Sequence, residues 1–374
     1  MNSLNELIGR RLKYAREKLG LTQAEFSRRL GFKDRQTLAA IEAGQRKVTA
    51  EELVRAVEVL KVDLEFFTDG FRLIGEGQFS WRAARETTEN LLTEFEERAG
   101  RWVATYRRLG EIQGVKTTVL QPHLALTERS SFEEAAMAGE ALGMEWNLGD
   151  KPALALERAI ETNMGALVLY VDAPKGISGA ACQLPGLNTI LINRLELEGR
   201  RNYDLAHEAF HLLTWEQMPP EHKELTETNH RGKGRHKRVE QLADNFAAAL
   251  LMPERALVPL WRARNEQDIH VWLNRTASEF LVSAKALKWR LINLGWLTKA
   301  DLLDISEAKL TANGRPREEQ QTPRLFGETF VRRLHVALAK GQLSVRRAAR
   351  LLELTIEGLE QLFRGYQLPV PFDL

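Results

Sequence analysis

Asn202-Tyr203-Asp204-Leu205-Ala206-His207-Glu208-Ala209-Phe210-His211-Leu212-Leu213 contains two histidines four residues apart with a glutamate directly after the first. In a helix, residues four apart stand one turn above each other, so His207 and His211 project from one face and can hold one metal ion between them. Glu208 lies beside the first ligand, where it reaches a metal-bound water as a general base more easily than the ion itself. Leu205, Ala206, Ala209, Phe210, Leu212 and Leu213 give the same helix an apolar surface that would bury it. Histidine is scarce, eight in 374 residues. A chance match at this spacing is therefore uncommon.

A catalytic zinc takes three protein ligands and keeps one position open. The third is expected from Arg238-Val239-Glu240-Gln241-Leu242-Ala243-Asp244-Asn245-Phe246-Ala247-Ala248-Ala249-Leu250-Leu251-Met252-Pro253, a run of helix formers that stops at a proline. Glu240 and Asp244 share a face of it. The ligand set then reads His207, His211 and Glu240, with Asp244 orienting a ligand histidine. The alternative exchanges the roles of Glu240 and Asp244.

The two segments together resemble the ImmA/IrrE metallopeptidase family, whose pattern joins an HExxH helix to a Glu-x-x-Ala-(Asn/Asp)-x-Phe-Ala helix ending in Leu-Leu-Met-Pro. Glu240, Ala243, Asp244, Phe246, Ala247 and Leu250 to Pro253 match it, and the likeness covers about residues 160–255. It implies a gluzincin-like zinc peptidase that cuts a partner repressor. Phe210 departs from the pattern, because members often carry a glycine there, and its bulk falls on the substrate side of the motif.

Composition sets the outer limits. With 44% hydrophobic and 28% charged residues the chain reads as globular, and its length allows two or three domains. No apolar run is long enough to span a membrane, and Met1-Asn2-Ser3-Leu4-Asn5-Glu6 lacks the layout of a signal peptide, so a cytoplasmic location with no membrane partner is expected. The single cysteine, Cys182, forms no internal disulfide and reads as a small buried residue. A net charge of +2 leaves nucleic-acid binding to local basic patches.

Such a patch opens the chain. Ile8, Leu12, Ala15 and Leu19 recur at helical spacing before Gly20; Thr22-Gln23-Ala24-Glu25 and Thr49-Ala50-Glu51-Glu52 are capping boxes; Asp34 caps a helix between them; a short fifth helix is expected over Asp63 to Phe67. Across residues 4 to 68 this order resembles the Xre (Cro/C1-type) helix-turn-helix family, whose third helix enters the major groove. By position the resemblance implies that Arg35 and Gln36, with Thr37 and Ala39 or Ala40 beside them, face base edges, and that Gln23, Arg46 and Lys47 hold phosphates. Lys33 is an extra residue in the turn. Double-stranded operator DNA and a homodimer are the expected partners.

The remaining segments are less specific. Residues 70–120 read as a Gly-rich linker followed, from Trp81, by a charged helix that is either an interdomain rod or a helix on the peptidase. Residues 121–310 read as the peptidase, and Thr189, Ile190, Leu191, Ile192 and Asn193 as the candidate edge strand that pairs with an extended substrate, the alternative being a strand internal to the sheet. Trp215 to Lys237 forms a long, basic loop whose His230 and His236 are weak ligand candidates, and Thr311 to Pro323 a second linker. Residues 324–374 read as three short helices made basic by Arg332, Arg333, Arg346, Arg347 and Arg350, a second helix-turn-helix or a core-closing tail.

The expected whole is mainly α with a small β-sheet (α+β): a DNA-binding regulator carrying a zinc endopeptidase that cleaves a repressor or antitoxin-like protein. The alternatives are a transcription factor whose peptidase-like domain senses a metal or ligand without proteolysis, and an antitoxin of a toxin-antitoxin pair.

Overall fold

The computed structural model describes residues 4–115, 123–225, 235–265, 268–298, 300–310 and 321–372. Five helices open it: α1 (Leu4–Lys18), α2 (Gln23–Arg29), α3 (Arg35–Glu42), α4 (Ala50–Leu60) and α5 (Glu65–Thr68). Their ends follow from capping chemistry. Thr22 and Thr49 each close a capping box, Asp34 accepts the Thr37 N–H, and Gly20 leaves α1 at a φ of 65° that a side chain would resist. Ile8, Leu12, Phe26, Leu30, Leu38, Ile41, Ala56 and Phe67 form a core of their own.

Behind this unit lies one five-stranded sheet: β1 (Gln78–Ala83), β2 (Leu167–Val171), β3 (Ile177–Leu184), β4 (Leu187–Asn193) and β5 (Lys223–Leu225), in the order β2-β4-β3-β1-β5. The β1–β3 and β3–β4 pairs are antiparallel, and β2–β4 and β1–β5 are parallel. Two expectations are corrected here. Thr189 to Asn193 is not an edge, because β4 is bonded to β2 on one side and β3 on the other. Nor does a helix begin at Trp81. Phe79, Trp81 and Ala83 face one core while Ser80 and Arg82 are buried on the opposite side, the period-two alternation of a strand.

Helices cover both faces. On the front lie α7 (Phe132–Glu145), α8 (Leu156–Ala159), α9 (Glu198–Thr214), α10 (Arg235–Leu251), α11 (Glu254–Arg262), α12 (Ile269–Phe280) and α13 (Ala284–Asn293), followed by the short α14 (Asp301–Asp304). They bury the front residues Val168, Ala181, Ile190 and Ile192 of the sheet. α7 and α10 cross closely at Gly139, where an added Cβ would stand 2.4 Å from the Phe246 carbonyl oxygen. Only a glycine lets α10 approach this near.

The back face carries α6 (Glu89–Ile112), α15 (Glu328–Ala339), α16 (Val345–Leu352) and α17 (Ile356–Gly365), sharing one core with Trp81, Leu169, Cys182 and Leu191. Residues 78–112 are thus a strand and a covering helix of the central fold, where a linker and rod were one expectation. The C-terminal helices close the same core. Trp102 of α6 meets Phe326 edge-on at 5.4 Å and Tyr106 stacks on Phe330 at 6.2 Å. Arg333 lies over Tyr106, while Arg347 covers Phe71 and pairs with Asp69 at 3.0 Å, so these two arginines serve packing. Arg11 of α1 ties the first unit to the second: fully buried, it donates to the carbonyls of Phe66, Asp69 and Arg72 and faces Glu76, which Arg107 of α6 holds from the other side. Most of the 311–323 segment and residues 226–234, with His230, lie outside the described residues.

Candidate metal centre

α9 packs on β3 and β4 and delivers both histidines to one buried point. His207 Nε2 and His211 Nε2 are 3.0 Å apart. From α10, Glu240 brings Oε2 to 3.3 Å of His207 Nε2 and Oε1 to 3.2 Å of His211 Nε2. For a metal-ligand distance near 2.1 Å, the corners of a tetrahedron are about 3.4 Å apart. The three expected ligands therefore have the spacing that a tetrahedral ion requires.

Asp244, one turn after Glu240, lies 3.1 Å from His207 Nδ1 and so fixes the ring through the nitrogen that faces away from the cluster. Tyr203 donates its hydroxyl to the Asp244 carbonyl at 2.9 Å, which sets α9 against α10. Asp244 thus stands at the far nitrogen of His207, and Glu240 stands between the two Nε2 atoms. His236 is exposed and paired with Glu221 at 3.1 Å, away from the centre.

Three further residues were not singled out from sequence. Glu224 of β5 brings Oε2 to 3.5 Å of His211 Nε2, and with His207, His211 and Glu240 it forms a buried set whose ligand atoms all lie within 4.8 Å of one another. Arg82 of β1 reaches His207 Nε2 with NH1 at 2.7 Å and Asp204 Oδ1 with Nε at 3.0 Å. Asp204 also pairs with Arg200 at 2.9 Å. Asp204 was legible in principle, standing three residues before His207 on the same helix face. Glu224 and Arg82 carry no motif, and only the β1–β5 pairing brings them in.

The polar atoms of this centre are left short of partners. Both carboxylate oxygens of Glu240, Oε2 of Glu224 and Nδ1 of His211 find no hydrogen bond among the described residues. Asp204, Glu208, Glu224, Glu240 and Asp244 set five carboxyl groups against two guanidinium groups, those of Arg82 and Arg200. Buried excess negative charge of this kind is costly unless a cation or protons offset it. The residues present fit a divalent metal ion.

Titration behaviour follows from the same crowding. Burial pushes the Glu208 carboxyl up against the opposing pull of His211, His207 and Arg82. Burial, then the neighbouring Glu240 carboxylate, raises Glu224 to about 11. Burial and Arg82 pull His207 down, but Glu240 and Asp244 win and lift it to about 9. A proton, the Arg82 N–H and a metal ion thus compete for the Nε2 lone pair of His207. Because His207 stays protonated up to about 9, metal must expel that proton at neutral pH, and affinity should rise with pH. We expect roughly tenfold per pH unit for each proton released, with the His207 contribution flattening above about 9. Calorimetry of zinc binding in buffers of different ionisation enthalpy reads the proton count; none released at pH 7 would contradict it.

Arg82 is wholly buried, and Asp204, Asp244, Glu240 and Glu208 overcome burial to hold it charged. Replacing it by methionine leaves a side chain of similar length, takes the partner from Asp204 Oδ1, and leaves Asp244 paired with His207. Arg82→Met should cost about 3–5 kcal/mol, measured by urea unfolding of the metal-free protein.

A small helical unit with its own core, followed by a buried His-Glu centre between a mixed sheet and two helices, defines a helix-turn-helix protein with a metallopeptidase-like domain. Comparison with family models gives each part its family: residues 12–67 match the helix-turn-helix model and residues 161–291 match the IrrE N-terminal-like domain. The chain carries both domains. No curated protein and no solved structure matches it. Among the described residues no helix is long and apolar enough to cross a membrane.

Proposed function

We propose that this chain is a DNA-binding regulator whose second domain is a zinc endopeptidase acting on a partner of the repressor or antitoxin class. The observation that carries the reading is the convergence of His207, His211 and Glu240 on one buried point, with Glu208 next in sequence to the first of them. His207, His211 and Glu240 would hold the ion, and Asp244 would orient His207. When bound, zinc would supply Lewis-acid polarisation of a water and of the scissile carbonyl. Glu208 would act as the general base and then as the acid toward the leaving nitrogen, a role suited to a carboxyl whose affinity for protons is raised by burial. Arg82, anchored on Asp204, keeps positive charge beside the carboxylates through the cycle.

For the first domain, Leu38 and Ile41 turn into the core and leave Arg35 and Gln36 exposed on α3, where base readout needs them. Lys47 is exposed as well. Two of the phosphate candidates are engaged within the chain: Gln23 donates to Glu42 at 2.9 Å and Arg46 binds Glu52 through both terminal nitrogens. Arg35 is therefore the residue to test. Arg35→Ala should weaken binding to a duplex from the region upstream of the chain's own gene by about 1–3 kcal/mol, with fluorescence anisotropy as the readout. Unchanged affinity would remove α3 from the interface.

The peptidase reading is tested by elemental analysis of the purified full chain, followed by incubation with repressors encoded near its gene. One zinc per chain and a single cut in one such repressor are expected. A metal-binding sensor that cuts nothing has one observation in its favour, the extra carboxylate of Glu224. It predicts bound metal and an intact partner.

A further inference from the structure

β5 is a three-residue strand on the outer edge of the sheet, yet it is fastened at several points. Arg82 pairs with Glu224 in the parallel β1–β5 register, and the Trp81 N–H donates to the His222 carbonyl at 2.8 Å. Lys223 Nζ reaches the Thr87 carbonyl at 2.6 Å, and His222 Nε2 meets Glu96 at 2.7 Å. The register turns Glu224 inward, where the side chain is 6% exposed. Its Oε1 accepts the Glu221 N–H at 3.1 Å, which leaves Oε2 without a hydrogen bond, 3.5 Å from His211 Nε2. A carboxyl oxygen buried there, facing the Glu240 carboxylate and two ligand histidines, must either carry a proton or meet a cation.

We propose that Glu224 is a fourth protein ligand, closing the corner that a catalytic zinc leaves open, and that β5 is a built-in plug along β1. The inference rests on the metallopeptidase reading. A site with four protein ligands is of the structural kind and holds no water for Glu208 to use. The resting peptidase is then latent. β5 covers the outer edge of β1, the strand whose Arg82 reaches His207, and that edge is where an extended peptide could add by main-chain hydrogen bonds. An incoming strand of the partner protein that replaces β5 on β1 draws Glu224 out of the centre by the same movement. Substrate binding and opening of the fourth position become one event.

The test uses the cobalt(II)- and zinc-loaded full chain, with acetohydroxamate as a small bidentate probe of an open position. Glu224→Gln and Glu224→Ala should each weaken zinc binding by roughly 10- to 100-fold in chelator competition. The same variants should bind acetohydroxamate at least about tenfold more tightly, read from the cobalt visible spectrum. Wild type alone supplies a check that depends on no variant: electron-nuclear double resonance of the cobalt form in deuterated water should show no directly bound water. A bound water in wild type, or zinc and hydroxamate affinities in Glu224→Gln equal to wild type, would overturn the proposal. Glu240→Ala separates the two levels of inference. If it binds zinc as tightly as wild type, the metallopeptidase reading fails; if it binds zinc more weakly while Glu224→Gln behaves as wild type, only the plug fails.

Discussion

Glu208→Gln is expected to retain one zinc per chain and to lose roughly 10²- to 10⁴-fold in peptidase rate. The amide has nearly the shape of the carboxyl, so α9 keeps its packing and His207 and His211 keep their places. What disappears is the group that takes a proton and gives it back. Burial supports the assignment, since it raises the proton affinity of Glu208 toward the range where one carboxyl can do both. It also makes the variant easy on the fold, because a neutral side chain replaces a charge in a cluster that already holds surplus negative charge. The unfolding midpoint of the metal-free variant should therefore equal or exceed that of wild type. The measurement pairs single-turnover cleavage of the partner with metal analysis of the same sample. Loss of rate together with loss of zinc would show a disturbed site, and an unchanged rate would take the proton-transfer role away from Glu208.

The parts of this centre that were legible in the sequence are those fixed by helical spacing. His207, Glu208 and His211 stand on α9 as the four-residue interval requires, and Glu240 and Asp244 stand one turn apart on α10 for the same reason. The first domain was legible because capping boxes are local: Thr22 with Glu25 and Thr49 with Glu52 state their own geometry. What stayed hidden depends on strand pairing. Nothing in Gln78 to Ala83 says that it pairs with β3 a hundred residues later, and its two polar neighbours, Ser80 and Arg82, look like a solvated face until the carboxylates behind them are known. Glu224 lies in a three-residue strand that is too short for any period. Because sheet order is not local, β4 was also misplaced at the edge. The same blindness separated residues 78–112 and the C-terminal helices from the fold they complete, since Trp102, Phe326 and Phe330 meet only through tertiary packing.

Glu240→Ala should weaken zinc binding by at least about 100-fold, and its response to zinc distinguishes a ligand from a merely structural glutamate. In the metal-free protein Glu240 is held well below the usual carboxylate range: burial opposes ionisation, but His207, Glu224 and His211 outweigh it. Its negative charge in turn is one of the two carboxylates that raise His207. Removing Glu240 takes away a carboxylate that the fold stabilises, so the metal-free variant should lose stability at neutral pH, and that loss should shrink as pH falls through the range where Glu240 takes up a proton. The difference appears on adding zinc. Wild type at a free zinc concentration 100 times its dissociation constant should gain about 2.7 kcal/mol, because only the folded chain assembles the site. Glu240→Ala should gain almost nothing at that concentration. His207 in the variant should also titrate lower than in wild type, visible in its imidazole proton resonances, because one of its two carboxylate partners is gone. A structural glutamate would give the same loss in the metal-free protein but would retain the full stabilisation by zinc.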